Sequence, residues 1–291
     1  MLRAIKPQVI EAGKPKFMIS GRSGVGKSFF ALQFPSPYYF DIEGGAVRRQ
    51  YREALAKSGG AYFGREQGAG EFASVIEEVK ALATTKHDFK TIVLDSFSHL
   101  YNSEAAKAEE RIGGDFGKDK KEANRPSRQL IRWLEDIDMT VVLICHSRQK
   151  WERKGRDIID AGTTFDGFDK LEFTLDLWIE AQKVGQQRSF VVKKSRIDTF
   201  QEGKEFPLDY KVFSEVYGAA TIEKASEPIE LATPEQIGEI EHLLGVVKID
   251  DATREKWFEK ANAATWTEMK KKHIQSCIDF LKKKISPMEA K

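Results

Sequence analysis

The chain has 291 residues, 41% of them hydrophobic, which is enough for one large α/β domain and a small additional one. Its 47 basic and 45 acidic residues nearly cancel, so only local clusters of charge could indicate nucleic-acid binding. Two cysteines, Cys145 and Cys277, are too few for a disulfide framework or a zinc site and favour a reducing compartment. No signal-peptide pattern or membrane-length apolar run is present, so we expect a cytoplasmic protein.

The first motif in the chain follows a short apolar strand at 16–20 and has the form Gly-x-x-x-x-Gly-Lys-Ser. Its glycines let the backbone curl so that successive N–H groups face an anion, and a helical segment follows, which is the context of a phosphate-binding loop. Lys27 would reach the β- and γ-phosphates and the Ser28 hydroxyl would bind Mg²⁺. A glycine-rich turn without a ligand is the alternative, and the strand-loop-helix context makes it the weaker one. The residues predicted to bind the nucleotide are Gly21, Arg22, Ser23, Gly24, Val25, Gly26, Lys27 and Ser28.

Three further predicted strands end in polar side chains. The strand at 38–43 carries two carboxylates, and either Asp41 or Glu43 can face a nucleotide. The strand at 91–96 ends in Asp95, which we expect to hold Mg²⁺, with capping of the next helix as the alternative role. The strand at 140–145 ends at His146. Because ligands bind at the carboxyl ends of parallel strands, these groups should lie near the phosphate loop.

The remaining segments predict an α/β domain with a mostly parallel sheet, residues 1–228, and a helical C-terminal domain, residues 229–291. We expect helices at 46–57, 71–83, 97–111 and 126–137, a candidate strand at 61–63, a mobile loop at 113–121, paired strands at 171–179 and 188–194, and a short strand within 210–217. In the C-terminal part, Thr233 and Gln236 have capping-box spacing at the start of a helix. Further helices are expected near 251–263 and 266–284.

The segment that follows His146 is the strongest local indication of nucleic-acid binding. It interleaves basic residues with a tryptophan and runs to Gly167 without periodicity, so we expect a long functional loop. Basic groups follow a phosphate backbone and an aromatic ring stacks on an exposed base, a combination typical of single-stranded DNA binding. A disordered lid is the alternative, and 118–132 and the lysine-rich C-terminal domain are other basic segments. The predicted DNA-binding residues are Arg148, Lys150, Trp151, Arg153, Lys154 and Arg156.

Taken in order, the phosphate loop, Asp41-Ile42-Glu43, Ile92–Ser96, Leu143–Arg148 and Val191–Lys194 resemble the RecA core over roughly residues 14–215. More closely, they resemble the small RecA-like ATPases of bacteriophages that act as recombinases or single-strand annealing proteins. The resemblance implies a catalytic site of Lys27, Glu43, Asp95 and His146, in which Glu43 activates water, Asp95 binds Mg²⁺ and His146 senses the γ-phosphate. RecA itself has glutamine at the sensor position. The resemblance also implies that a residue among Lys193, Lys194 and Arg196 contacts the ATP of a neighbouring subunit.

These observations predict a DNA-stimulated ATPase with ATP and Mg²⁺ as cofactors, in the host cytoplasm if a phage encodes it. It would bind single-stranded DNA as a homo-oligomer, either a filament or a ring, and promote recombination or annealing, with a single-strand-binding protein as a candidate partner. Two alternatives remain. A helicase or loader motor of the same fold would couple ATP hydrolysis to unwinding, and a switch ATPase would use the basic loop on a protein and have no affinity for DNA.

Overall fold

The computed structural model describes residues 11–113, 118–155 and 157–285, except for the side chains of 118–120. These residues form two compact units, one comprising 11–79 and 87–226 and the other 80–86 and 227–285. The domain boundary between 228 and 229 stays a prediction. Within the described ranges, no helix has the length and apolar character needed to cross a membrane.

Within the described residues, a mixed sheet of eight strands forms the core of the larger unit. The strands of the chain are β1 (Lys16–Ser20), β2 (Pro37–Asp41), β3 (Ala61–Phe63), β4 (Thr91–Asp95), β5 (Thr140–Ile144), β6 (Ser147–Lys154), β7 (Asp157–Phe165), β8 (Leu177–Val184), β9 (Gln187–Ser195) and β10 (Glu205–Pro207). Their order in this sheet is β10-β9-β8-β1-β5-β4-β2-β3, with β6 and β7 in a separate sheet. All pairings from β8 to β3 are parallel, and β9 and β10 add to one side in antiparallel fashion.

In the larger unit the helices are interspersed with these strands along the chain, and the helices within 227–285 follow one another. They are α1 (Lys27–Ala31), α2 (Arg49–Ser58), α3 (Phe72–Thr84), α4 (Phe97–Ile112), α5 (Lys118–Asp136), α6 (Leu171–Thr174), α7 (Tyr210–Tyr217), α8 (Ala219–Glu223), α9 (Pro234–Val246), α10 (Asp251–Ala261) and α11 (Lys271–Ile285). The predicted α/β class with a mostly parallel central sheet and a helical C-terminal part is therefore confirmed.

The central strands are apolar because both faces of the sheet are covered. Every residue of β4 and β5 is buried. On one side of the sheet, aromatic rings dominate the packing, and the ring of Phe213 on α7 stacks on Phe17 of β1 with centroids 4.9 Å apart. This core fixes the central strands from the β1 side, so the phosphate loop that follows β1 is carried on a rigid support.

One predicted element is of the wrong type, and two others begin at different residues than expected. The segment 210–217 is helix α7 rather than a strand, because Asp209 accepts a hydrogen bond from the backbone N–H of Lys211 and caps the helix. The strand expected at 171–179 begins only at Leu177, after the short helix α6. Helix α5 begins at Lys118 rather than at 126 and therefore includes part of the expected loop, whose residues 114–117 lie outside the described residues.

The expected irregular loop after His146 is also wrong, because β6 and β7 form a two-stranded antiparallel ribbon. Gly155 has a positive φ of 67° at the turn between them. Opposite residues include Trp151 with Asp160 and Arg153 with Ile158, and a bulge lies between Gln149 and Trp151. The polar and charged side chains concealed the strand pattern, since little of this ribbon is buried.

The smaller unit confirms the helices predicted for the C-terminal part. Thr233 and Gln236 form the reciprocal capping box at the start of α9. Helices α10 and α11 lie close to the predicted segments, with a 3-10 turn at Trp266–Glu268 before α11. The buried core of the smaller unit comprises Ile240, Leu243, Val247, Ala261, Ala263, Met269, Ile274, Cys277, Ile278 and Leu281.

Candidate nucleotide-binding site

The predicted phosphate loop connects β1 to α1, and its glycines are needed for conformation and space. Gly24 and Gly26 have φ values of 78° and 108°, in the left-handed region that side chains disfavour. A Cβ on Gly21 would lie 2.7 Å from the carbonyl oxygen of Ala181. A Cβ on Gly26 would lie 3.1 Å from Cδ of Arg188. The loop is thus closely bordered by β8 and β9, which the sequence alone did not indicate.

Lys27 is buried, and its ammonium group folds back onto the loop. Nζ donates hydrogen bonds to the carbonyl oxygens of Gly21, at 2.7 Å, and Arg22, at 2.9 Å. Burial lowers the pKa of Lys27, while the nearby carboxylates of Asp95 and Glu43 oppose that shift. The three predicted groups therefore lie close enough to interact, and the cation faces the space that the loop encloses.

Asp95 ends β4 and lies on the floor of the same site. Oδ2 of Asp95 accepts a hydrogen bond of 2.6 Å from the hydroxyl of Tyr39, and the hydroxyl of Ser28 lies near enough to the carboxylate to affect its pKa. Burial raises the pKa of Asp95, and these two donors oppose the shift. The hydroxyl of Ser28 and the carboxylate of Asp95 are thus neighbours, as the sequence analysis expects for a Mg²⁺ site.

The donor chemistry of this pair fits Mg²⁺, which prefers hard oxygen ligands and keeps several waters when it binds beside phosphates. In the described parts of the chain, no group of three or more His, Cys, Asp or Glu residues could hold a metal by itself. Ser28 and Asp95 would therefore hold the ion together with the nucleotide. The ion would neutralise phosphate charge, and the protein groups would fix its position.

Asp41 and Glu43 have different surroundings. Both carboxylate oxygens of Asp41 accept backbone hydrogen bonds, from Gly45 at 2.6 Å and Ala46 at 2.9 Å, so Asp41 stabilises the turn after β2. Glu43 lines the cavity, and its backbone N–H donates to the carbonyl oxygen of Asp95. The structure thus leaves Glu43 as the carboxylate that faces the site.

Glu43 and His146 are joined by a hydrogen bond across the ends of β2 and β5. Nε2 of His146 lies 2.8 Å from Oε1 of Glu43, which also accepts a hydrogen bond from the Ser96 hydroxyl. The hydrogen bond from His146 is the main reason that the pKa of Glu43 is lowered to about 2. The same hydrogen bond raises the pKa of His146. The predicted water-activating residue and the predicted phosphate sensor are therefore direct partners.

These groups surround a cavity of about 670 Å³. Sequence reasoning missed several residues that line it, because they follow the strand-end motifs or come from the β9 side of the sheet. Arg188 is the most informative of them, since it is exposed over Gly26 and its side chain makes no hydrogen bond or ion pair among the described residues. The residues that line the cavity outside the predicted site are Phe29, Phe30, Gln33, Arg48, Gln50, Tyr51, Ile144, Arg188 and Leu208.

The three candidates for a contact in trans are all engaged within their own chain. Lys193 forms an ion pair with Glu180 at 3.3 Å and lies over the ring of Trp178. Lys194 donates to the carbonyl oxygen of Leu175, and Arg196 donates to those of Phe173 and Thr174. A contact with a neighbouring subunit would require one of these bonds to open.

The predicted DNA-binding residues lie on β6, apart from Arg156, which is outside the described residues. Two of their charges are paired: Arg148 with Asp169 at 3.2 Å and Lys150 with Glu152 at 2.6 Å. Lys154 lies opposite Asp157 in the ribbon. Arg153 has no ion pair among the described residues, and Trp151 is 62% exposed.

A curled glycine loop, a buried lysine and an oxygen pair at a strand end define a P-loop nucleotide-binding protein. The chain belongs to the AAA_24 family, described as an AAA domain, whose profile matches residues 13–195. It is therefore an ATPase of the AAA class. No curated protein matches the sequence. A crystal structure of the RadB recombinase is similar, with 17% identity and a TM-score of 0.42, over 74% of this chain and 91% of that one.

Proposed function

We propose that this protein is a Mg²⁺-dependent ATPase that binds single-stranded DNA as a homo-oligomer and promotes recombination or annealing. The observation that carries the proposal is the exposed aromatic and basic ribbon β6–β7, which begins at the residue after His146. A P-loop site alone would support any AAA-class ATPase. The ribbon adds a surface of the chemistry that single-stranded DNA requires.

One face of the ribbon is better suited to DNA than the other. Side chains opposite each other in an antiparallel pair share a face, as do residues two apart. Trp151, Arg153 and Ile158 therefore lie on one face, together with Asp160. Trp151 and Ile158 are 62% and 69% exposed. We infer that this face contacts DNA, with Trp151 stacking on a base and Arg153 pairing with a phosphate.

Ser98 links the root of the ribbon to the nucleotide site. Its Oγ accepts a hydrogen bond from the backbone N–H of His146 at 2.8 Å and donates to the carbonyl oxygen of Asp166, directly after β7. The N–H of Asp166 donates in turn to the carbonyl oxygen of His146 at 2.7 Å. A shift of the ribbon on DNA would therefore reach His146 through two short hydrogen-bonded connections.

The Glu43–His146 pair suggests how ATP would act on this link. A γ-phosphate beside Lys27 is an anion that competes with Glu43 for the imidazole donor. When His146 turns to the phosphate, Glu43 keeps the hydrogen bond from Ser96 and gains a free lone pair for the attacking water. ATP binding, release of Glu43 and movement of the ribbon root would then be coupled.

The test compares single substitutions on the two faces of the ribbon. Trp151→Ala should weaken binding of single-stranded DNA by about 5- to 150-fold, since one stacked base contributes roughly 1–3 kcal/mol. Arg153→Ala should lower the slope of log affinity against log salt by about 0.7, as one phosphate contact is lost. Lys154→Ala, which removes a cation from the opposite face, is the matched control and should change little. Fluorescence anisotropy at several salt concentrations measures all three.

Hydrolysis measurements with the same variants distinguish the proposed DNA-stimulated ATPase from a switch ATPase and from a motor. Wild-type ATPase should rise with single-stranded DNA more than with duplex DNA or RNA, and Lys27→Ala should abolish it. Trp151→Ala and Arg153→Ala should keep basal hydrolysis and lose stimulation. Equal losses in Arg153→Ala and Lys154→Ala would reject the assigned face. Absence of any DNA binding in the wild-type protein would instead favour a switch ATPase, and ATP-coupled unwinding would favour a motor.

A further inference from the structure

Tyr39 lies in the interior of the sheet directly beside the candidate Mg²⁺ ligand. It occupies β2, opposite Val93 of the neighbouring strand β4, and its side chain is 1% exposed. Its hydroxyl donates a hydrogen bond of 2.6 Å to Oδ2 of Asp95. Neither the phosphate-loop motif nor the strand-end rule draws attention to this residue, because it precedes the end of its strand.

The ring and the hydroxyl of Tyr39 have separate environments. The ring belongs to the buried cluster that also contains Val93 and Val142, where phenylalanine would fill the same space. A buried hydroxyl is costly unless it is hydrogen-bonded, and Asp95 is the partner it has here. Packing thus accounts for the ring of Tyr39, and the hydrogen bond to Asp95 accounts for its hydroxyl.

The hydroxyl acts on Asp95 in two ways. First, it satisfies one acceptor position of a carboxylate that is buried in the sheet. Second, Oδ2 is tied to Tyr39 while the Ser28 hydroxyl lies beside the same carboxylate, so the orientation of the carboxylate is constrained. A ligand carboxylate that is hydrogen-bonded by a neighbouring group is oriented for its metal.

We propose that Tyr39 is a positioning residue for the divalent cation of the ATP site, holding the Asp95 carboxylate in the orientation in which it and Ser28 receive Mg²⁺. The inference rests on the proposed Mg²⁺–ATP site. What it adds is that a tyrosine hydroxyl on β2, which belongs to no nucleotide-binding motif, determines how tightly Mg²⁺ is bound.

The chain offers a matched pair of variants. Tyr39→Phe removes the hydroxyl and keeps the ring. Tyr38→Phe, at the adjacent position on the same strand, removes another hydroxyl that donates to a carboxylate, that of Glu78 on α3, which does not line the nucleotide cavity. Any general effect of losing a tyrosine–carboxylate bond on β2 should appear in both variants, and an effect on the ion should appear only in Tyr39→Phe.

The experiment titrates a fluorescent ATP analogue at increasing Mg²⁺ and repeats the titration in excess chelator, with thermal melting to confirm folding. For Tyr39→Phe we expect the Mg²⁺ concentration at half-effect to rise by about 10- to 100-fold, as for other outer contacts of metal ligands. Nucleotide affinity without Mg²⁺ should stay at the wild-type value. In hydrolysis, excess Mg²⁺ should restore most of the rate, and Tyr38→Phe should match wild type throughout.

The outcomes that overturn the inference are distinct from those that overturn the proposed function. A wild-type Mg²⁺ response in folded Tyr39→Phe, or equal shifts in both variants, would reject the positioning role while leaving the ATP site intact. Equal losses with and without Mg²⁺ in Tyr39→Phe would make its role one of general structure and also reject the proposal. Failure of the wild-type protein to bind the analogue, or to respond to Mg²⁺, would reject the Mg²⁺–ATP site itself.

Discussion

Glu43 and Asp41 are two residues apart, and their neighbours give them different tasks. Glu43 faces the cavity and is held by His146 and Ser96, whereas Asp41 is occupied by two backbone N–H groups. We expect Glu43→Gln to bind ATP normally and to hydrolyse it at a small fraction of the wild-type rate, because an amide cannot accept a proton from water. Nucleotide titration and phosphate release measure the two effects.

The comparison variant for this prediction is Asp41→Asn. Loss of the charge should weaken the turn after β2 and lower the free energy of unfolding by roughly 1 kcal/mol, with a modest effect on hydrolysis. If Asp41→Asn were the slow hydrolyser and Glu43→Gln had the normal rate, the water-activating role would belong to the other carboxylate. Urea unfolding provides the stability measurement.

The individual site residues differ in how far the sequence could predict them. The convergence of Lys27, Asp95, Glu43 and His146 was predictable, because the phosphate loop is a contiguous motif and carboxyl ends of parallel strands share an edge. Tyr39 and Arg188 were not predictable. Tyr39 matters through a side-chain bond to the neighbouring strand, and Arg188 lies above Gly26 only because β9 adds to the sheet beyond β8.

At the scale of elements, a partly buried lysine lies at the junction between β1 and the end of α5. Nζ of Lys16 donates to the carbonyl oxygens of Ile137 and Met139, which follow the helix. Burial lowers the pKa of Lys16 to about 7. An unfolded lysine has a pKa of about 10.4, so between these values the unfolded chain binds more protons than the folded one. Stability from this group therefore increases from pH 7 to about pH 10.

The test compares urea unfolding of wild type and Lys16→Met from pH 7 to pH 9.5. The difference in free energy of unfolding should shift in favour of wild type as pH rises, by at most about 1.4 kcal/mol per pH unit. Burial raises the pKa of Cys145 to about 12 and gives an opposing trend, which is common to both proteins and cancels in the difference. Lys183→Met, at an exposed position of β8, is the control. A pH-independent difference would contradict the prediction.

Elements were predictable where burial imposed a pattern and unpredictable where it did not. Strands β4 and β5 are buried along their whole length and read as apolar runs. The ribbon β6–β7 is largely exposed, so no alternation marked it, and its basic residues suggested a loop. Helix α7 was missed because its aromatic and β-branched residues favour strands, while the deciding signal was the single capping residue Asp209.

At the scale of the whole molecule, the resemblance to RecA-like ATPases predicts that one of the three basic residues near the end of β9 contacts the ATP of a neighbouring subunit in the proposed oligomer. Releasing Lys193 would take the cation away from the Glu180 carboxylate, which keeps a hydrogen bond from the Thr163 hydroxyl but is only 12% exposed. Among the described residues, the hydrogen bonds of the Arg196 side chain go to backbone carbonyl oxygens near the end of α6. Because those carbonyls can bond to water instead, Arg196 is released at the lower cost and is our candidate for the contact in trans.

Subunit mixing tests this assignment. Lys27→Ala and Arg196→Ala should each be inactive in DNA-stimulated hydrolysis while still assembling, as followed by light scattering. In an equimolar mixture, roughly one interface in four would combine an intact phosphate loop with an intact arginine, so about a quarter of the wild-type rate should return. If hydrolysis returns when Lys27→Ala is mixed with Lys193→Ala, and does not return when it is mixed with Arg196→Ala, the contact in trans would be assigned to Lys193. No recovery in any mixture would reject a contact in trans.

The position of Lys27 affects how calorimetry on the nucleotide site is to be interpreted. Its ammonium group already has two acceptors, the carbonyl oxygens of Gly21 and Arg22. Nucleotide binding would therefore exchange these bonds for bonds to phosphate, and the heat released would be a net value. Lys27→Ala removes both the bonds to phosphate that binding would form and the bonds to the loop carbonyls that binding would break. The affinity lost in that variant thus understates the strength of the lysine–phosphate contact, and the free loop of the variant is no longer tied to its own helix.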